Sequence, residues 1–137
     1  MKATVLIVCV TMMSCKVLTI EKQASVKAYA ISMGKRTKFP IDSFSIENFS
    51  ELNTVISVKH ITEFHKKISE LRITEGEFLY DFVRMKIMIG DANEKRESML
   101  FDSKGQLLYR GRLYAYDKEV YVKIFKIIGL DSSVYLN

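Results

Sequence analysis

The stretch from Glu77 to Leu113 constrains the fold most, because its apolar residues recur every second position. Val83, Met85, Ile87 and Ile89 alternate with Arg84 and Lys86, the pattern of a strand with one buried face. Phe78, Tyr80 and Phe82 sit on the opposite parity, which implies a bulge or burial on both faces near that end. Gly90-Asp91-Ala92-Asn93 is turn chemistry, and Glu97 to Phe101 reads as the next strand. Asp102-Ser103-Lys104-Gly105 reads as a hairpin loop, with Gly105 suited to a left-handed position. Leu107, Tyr109, Gly111 and Leu113 then share one face of a further strand, with Arg110 and Arg112 on the other.

Upstream, Ser25 to Met33 alternates as a strand, and Gly34 to Asn53 is a long connection holding Pro40. Ile46, Phe49 and Leu52 have helical spacing within it, and Thr54 to Ser57 reads as a short strand. Val58, Ile61, Phe64, Ile68 and Leu71 recur at intervals of three or four, predicting an amphipathic helix over Lys59 to Arg72. Asp117 is placed to cap a last helix, and Glu119 suits its positive N-terminal end. Val120, Tyr121, Ile124, Ile127 and Ile128 form that helix's stripe, and Gly129 ends it. Adjacent hairpins with separate helices argue an α+β fold. The expectation is an antiparallel sheet of about four to five strands, with two amphipathic helices packed on one face. A single domain over residues 25–137 accommodates it.

The length of 137 residues suits one core. A net charge of +5 is mildly basic, and acids and bases are interspersed as on a solvated surface. The densest basic run is Lys35, Arg36 and Lys38, beside Pro40 in a loop.

The N-terminus reads as an address. Met1-Lys2 is a minimal positive segment, and Ala3 to Ser14 carry no charge. That run is short for a bilayer span but fits the apolar region of an export signal. Residues 1–14 are expected to be a signal peptide and 15–24 a tether. The competing reading is a buried first strand over Thr4 to Val10. Cys9 and Cys15 are the only cysteines, so a mature domain starting at Cys15 has no internal disulfide.

Met12-Met13-Ser14-Cys15 resembles the lipobox of bacterial lipoproteins. The resemblance implies that the Cys15 thiol receives a diacylglycerol and that the chain is cut just before it. It also implies an exported protein of the bacterial cell envelope, lipid-anchored to a membrane on the periplasmic side or the surface. The last eighty or so residues are similar in pattern to small uncharacterised bacterial secreted proteins and lipoproteins. The shared features are the Ile61–Leu71 helix, Asp81-Phe82-Val83-Arg84, the charged hairpin Phe101 to Gly105 and a tyrosine-rich strand. This similarity implies no activity and carries over no functional residue.

No catalytic, cofactor or metal motif is found. His60 and His65 are separated by about 140° on a helix, which is not the spacing of a helical metal site. The glycines are isolated, which excludes a glycine-rich phosphate loop, and no serine stands in a Gly-x-Ser-x-Gly elbow. Glu75, Glu77 and Asp81 cluster before the long strand, where paired carboxylates would serve a hydrolase or simply be solvated in a turn. Tyr109 to Tyr116 interleaves arginines with tyrosines, residue types frequent at protein-binding hot spots. Arg110, Arg112, Tyr114 and Tyr116 are therefore the candidate partner-binding face, and Cys15 the candidate lipid-attachment site. The functional expectation is a non-enzymatic, membrane-anchored envelope lipoprotein that binds a protein or polymer. Its expected partners are the membrane, through the lipid, and an envelope protein, with no nucleic acid. The alternatives are an exported inhibitor or immunity-type protein and a carboxylate-dependent hydrolase.

Overall fold

The alternating run Val83 to Ile89 lies inside the sheet and organises the rest. The computed structural model describes residues 22–90 and 96–136. The leader 1–14, Cys15 and the turn residues Asp91, Ala92 and Asn93 lie outside the described residues. In chain order come β1 (Gln23–Ala30), a 3-10 turn (Ser45–Asn48), β2 (Ser50–Ser57) and α1 (Val58–Ser69). There follow β3 (Val83–Gly90), β4 (Glu97–Asp102), β5 (Leu107–Tyr109), β6 (Arg112–Tyr114), α2 (Lys118–Ile127) and α3 (Ser132–Tyr135). The fold is α+β. One open sheet has the order β2-β1-β3-β4-β5-β6, with every neighbouring pair antiparallel.

Six strands stand where four to five were expected. The strand predicted through Leu107 to Leu113 folds back at Arg110-Gly111 and becomes β5 and β6. The predicted Glu77–Ile89 strand begins only at Val83. Its mixed parity resolves into a register shift between Val83 and Met85, which turns Val83 to the outer face.

The inner face carries Ala24, Val26, Ala28 and Ala30 from β1 and Met85, Ile87 and Ile89 from β3. Phe64 and Ile68 of α1 join them, with Tyr121, Ile124 and Phe125 of α2. Both amphipathic helices thus bury their stripes on one face of the sheet. The outer face holds a smaller cluster of Tyr29, Ile31, Ile41, Ile46, Phe78 and Val83.

Side chains cap both long helices, and α1 ends at Ser69, short of the Arg72 expected from its stripe. Ser57 caps α1 by accepting from the His60 N–H, and Asp117 caps α2 by accepting from the Val120 N–H. Gly129 has φ +75°. Its N–H donates to the Lys126 carbonyl, and the Leu130 N–H donates back to Phe125 at 2.8 Å. That pair of bonds is a Schellman ending, in which glycine adopts the left-handed conformation without steric cost. Among the described residues, no helix is long and apolar enough to cross a membrane.

Candidate functional site

The fold-back between β5 and β6 is a two-residue turn closed by the Tyr109–Arg112 pair. Arg110 has φ +49° and Gly111 φ +71°. Positive φ at both central positions is the primed hairpin turn, whose twist matches the strands it joins. Gly111 adopts it freely. Arg110 does not, because the Cβ of an L-residue crowds the backbone there, and asparagine or glycine fits better. An arginine therefore occupies a conformation its side chain does nothing to favour.

Three elements hold that arginine. The Tyr109 ring is buried, and its hydroxyl donates to Glu97 Oε2 of β4 at 2.5 Å. His65 of α1 places Nδ1 3.1 Å from the same hydroxyl oxygen. His65 Nε2 lies 3.8 Å from the same Glu97 Oε2, so the imidazole faces both the phenol and the carboxylate. Glu97 Oε1 pairs with the Arg110 guanidinium, which also lies 5.1 Å from the centre of the Tyr109 ring.

The electrostatics follow from these contacts. Burial lowers the His65 pKa from its ordinary value, Glu97 opposes that, and Arg110 adds to it, so the imidazole is neutral at pH 7. Partial burial would raise Glu97, but the Tyr109 hydrogen bond and the Arg110 guanidinium outweigh it and hold the carboxylate low. Burial, reinforced by Glu97, pushes the Tyr109 hydroxyl far up. A tyrosine used as acid or base would need the opposite shift. The Tyr109 hydroxyl thus keeps its proton, and the cluster fixes a cation in place.

Arg110 forms a ridge between two clefts. The first, about 550 Å3, is lined by Arg96, Ser98, Leu100 and Leu108 as well as the turn. The second, about 380 Å3, is lined by His65, Ile68, Ser69, Arg112 and Tyr114. Tyr109 and Arg110 line both. Arg96 and Arg112 make no ion pair among the described residues, and among those lining the two clefts three arginines stand against the one carboxylate of Glu97.

The four residues read from sequence as one face are divided. Arg110, Arg112 and Tyr114 meet at the second cleft, but Tyr114 is buried and only the arginines project. Tyr116 lies past the opposite end of β6, its ring edge-on to Tyr121 at 5.3 Å. With Tyr109 and Tyr114 buried, the strand lacks the exposed rings of a base-stacking platform. Sequence reasoning missed Glu97, Tyr109 and His65 as a unit. They come from three elements, 12 and 44 residues apart from Tyr109, and no local spacing links them.

Glu75, Glu77 and Asp81 are exposed and line neither cleft. His60 is exposed at the start of α1, where its ring meets the Ser57 hydroxyl. Among the described residues, no three His, Cys, Asp or Glu side chains group as metal ligands. The chain matches no known family model, no curated protein and no solved structure.

Proposed function

We propose that this protein is a non-enzymatic binding module of a bacterial envelope, held to a membrane through Cys15, and that the Arg110 turn engages an acidic protein partner. Arg110 carries the proposal. It keeps an unfavourable backbone conformation (φ +49°) at an exposed tip, where it contributes nothing to the core. A strained residue that the fold does not need is a residue to test for function. Glu97, Tyr109 and His65 hold its guanidinium and lower the entropy lost on binding. Arg96 and Arg112 add positive charge beside it, which steers an acidic surface toward the tip.

A second reading, an exported inhibitor or immunity-type protein, uses the same tip. The narrowness of a two-residue turn favours it, because such a turn can enter another protein's cleft.

Two experiments test the proposal. Mass spectrometry of the mature N-terminus should find a diacylated Cys15, and an intact Met1 in a soluble fraction contradicts the anchor. Crosslinking in envelope preparations should give a specific adduct that Arg110→Ala/Arg112→Ala abolishes. An unchanged adduct removes this face from consideration. If the adduct is an enzyme that the wild-type protein silences, the inhibitor reading takes precedence.

A further inference from the structure

A second surface, away from the Arg110 turn, combines exposed aromatic rings with cations, and Lys86 Nζ lies 5.8 Å from the centre of the Phe44 ring. Phe39 is 76% exposed and Phe44 79% exposed, values far outside the usual range for phenylalanine. Phe39 shares a groove of about 430 Å3 with Phe49, Lys35, Arg36 and Lys38. Phe44 stands on the adjoining turn, where Asp42 accepts hydrogen bonds from the Phe44 and Ser45 N–H groups. The loop is anchored from behind. Ile41 and Ile46 are buried in the outer cluster, and Ile41 exchanges backbone bonds of 2.8 Å with Asp81 and Val83. The exposed rings are thus presented on a fixed backbone.

The charge around them is predominantly positive. Residues 34–41 include three cations and no acid. Of the acids at its border, Glu47 is neutralised by Lys86, while Asp42, hydrogen-bonded by Phe44 and Ser45, and Asp81 keep their charge, so the three cations outnumber the two free carboxylates. Lys35, Arg36 and Lys38 make no ion pair among the described residues. Aromatic rings flanked by long cationic side chains match an anionic bilayer surface. The rings enter the boundary between headgroups and acyl chains, and the cations reach lipid phosphates. The groove lies beyond the Ala30 end of β1, remote from Gln23 where the chain enters the sheet, so it is a separate contact from any tether.

We propose that the Lys35–Phe49 loop docks the domain on anionic lipid, with Phe39 and Phe44 inserting and Lys35, Arg36 and Lys38 engaging the headgroups. The contact does not depend on acylation of Cys15.

The chain has no tryptophan, so a single introduced one reports on its own surroundings. The test uses the full-length chain carrying Cys15→Ser and one of Phe39→Trp, Phe44→Trp or Val122→Trp. Val122 is an exposed residue of α2 and serves as the reference. Each protein is mixed with vesicles of phosphatidylglycerol and phosphatidylcholine, or of phosphatidylcholine alone, with brominated acyl chains as quencher. The expected result is a blue shift and bromine quenching at positions 39 and 44, only with phosphatidylglycerol, and none at 122. Adding Lys35→Glu/Arg36→Glu/Lys38→Glu should weaken vesicle binding at least about tenfold. Three results would overturn the proposal. One is no shift at 39 and 44, and another is a shift that survives the charge reversal. The third is a shift that appears without vesicles as protein concentration rises, which assigns the loop to a second copy of the chain. None of these results bears on the Arg110 proposal, because that tip is unaltered throughout.

Discussion

Strand β5 is three residues long, and the turns at its two ends could hardly differ more in how they are built. At one end Asp102 is fully buried. Its Oδ1 accepts from the Lys104 and Gln106 N–H groups, and its Oδ2 accepts from the Leu79 N–H and the Gln106 side-chain amide. Gly105 takes the left-handed position with φ +77°, and the buried Tyr121 hydroxyl donates to its carbonyl at 2.5 Å. At the other end the left-handed position belongs to Arg110, exposed and held by Glu97 and the Tyr109 ring. The first turn is tied into the fold through the Asp102 carboxylate and the Gly105 carbonyl. The second keeps a cation outside the fold at a conformational cost. The difference separates a turn that holds the sheet together from one whose composition the sheet does not explain.

The comparison is broken most severely at Asp102. Asp102→Ala leaves several N–H groups without their buried acceptor, and should destabilise the protein by about 3 kcal/mol in chemical denaturation. Asp102→Asn, which keeps one acceptor oxygen, should lose less. An alanine variant as stable as wild type would mean that the buried carboxylate organises nothing. Next comes Gly105→Ala. A Cβ there would sit 2.7 Å from the Tyr116 ring, on a backbone with φ +77°, so a loss of about 2 kcal/mol is expected. Gly111 offers the contrast, because nothing lies within 4 Å of its Cβ position. Gly111→Ala should therefore cost less than Gly105→Ala, and equal losses would contradict the packing described at Gly105.

A smaller effect comes from pH. His65 is lowered from its ordinary 6.5, mainly by burial, so the folded protein binds fewer protons than the unfolded chain just below that value. Its contribution is complete above about pH 6.5 and is lost as pH falls through the lower folded value. Glu97 is lowered from 4.5, so its contribution holds above that value and fails below it. Thermal midpoints should therefore fall on acidification, first from His65 and then from Glu97. His65→Gln should flatten the first part of that fall. A midpoint that rises between neutral pH and pH 5 would reverse the assigned sign.

Much of this architecture is legible in the sequence because it is local. The apolar stripe from Ile61 to Ile68, the Asp117 cap, the Gly129 ending and the left-handed Gly105 each depend on a few neighbouring residues. The sixth strand is not legible, because Arg110-Gly111 lacks the Asn-Gly or Asp-Gly signature of a tight hairpin. The apparent alternation of Tyr109, Gly111 and Leu113 masks it further. In the structure Tyr109 and Tyr114 face the inner core, while Leu108 and Leu113 pack toward the outer cluster. That change of parity follows from the two-residue turn. The His65–Tyr109–Glu97 contacts are likewise invisible in sequence, because sheet pairing and the packing of α1 bring them together.

The central claim is that Arg110 serves recognition and not folding, and Arg110→Gly tests it most directly. Glycine relieves the left-handed strain, and the ion pair it removes is exposed and weakly stabilising. Thermal unfolding and envelope crosslinking are measured on the same preparation. The account predicts a melting midpoint within about 5 °C of wild type together with loss of the specific adduct. A retained adduct, or a collapse in stability, would contradict it.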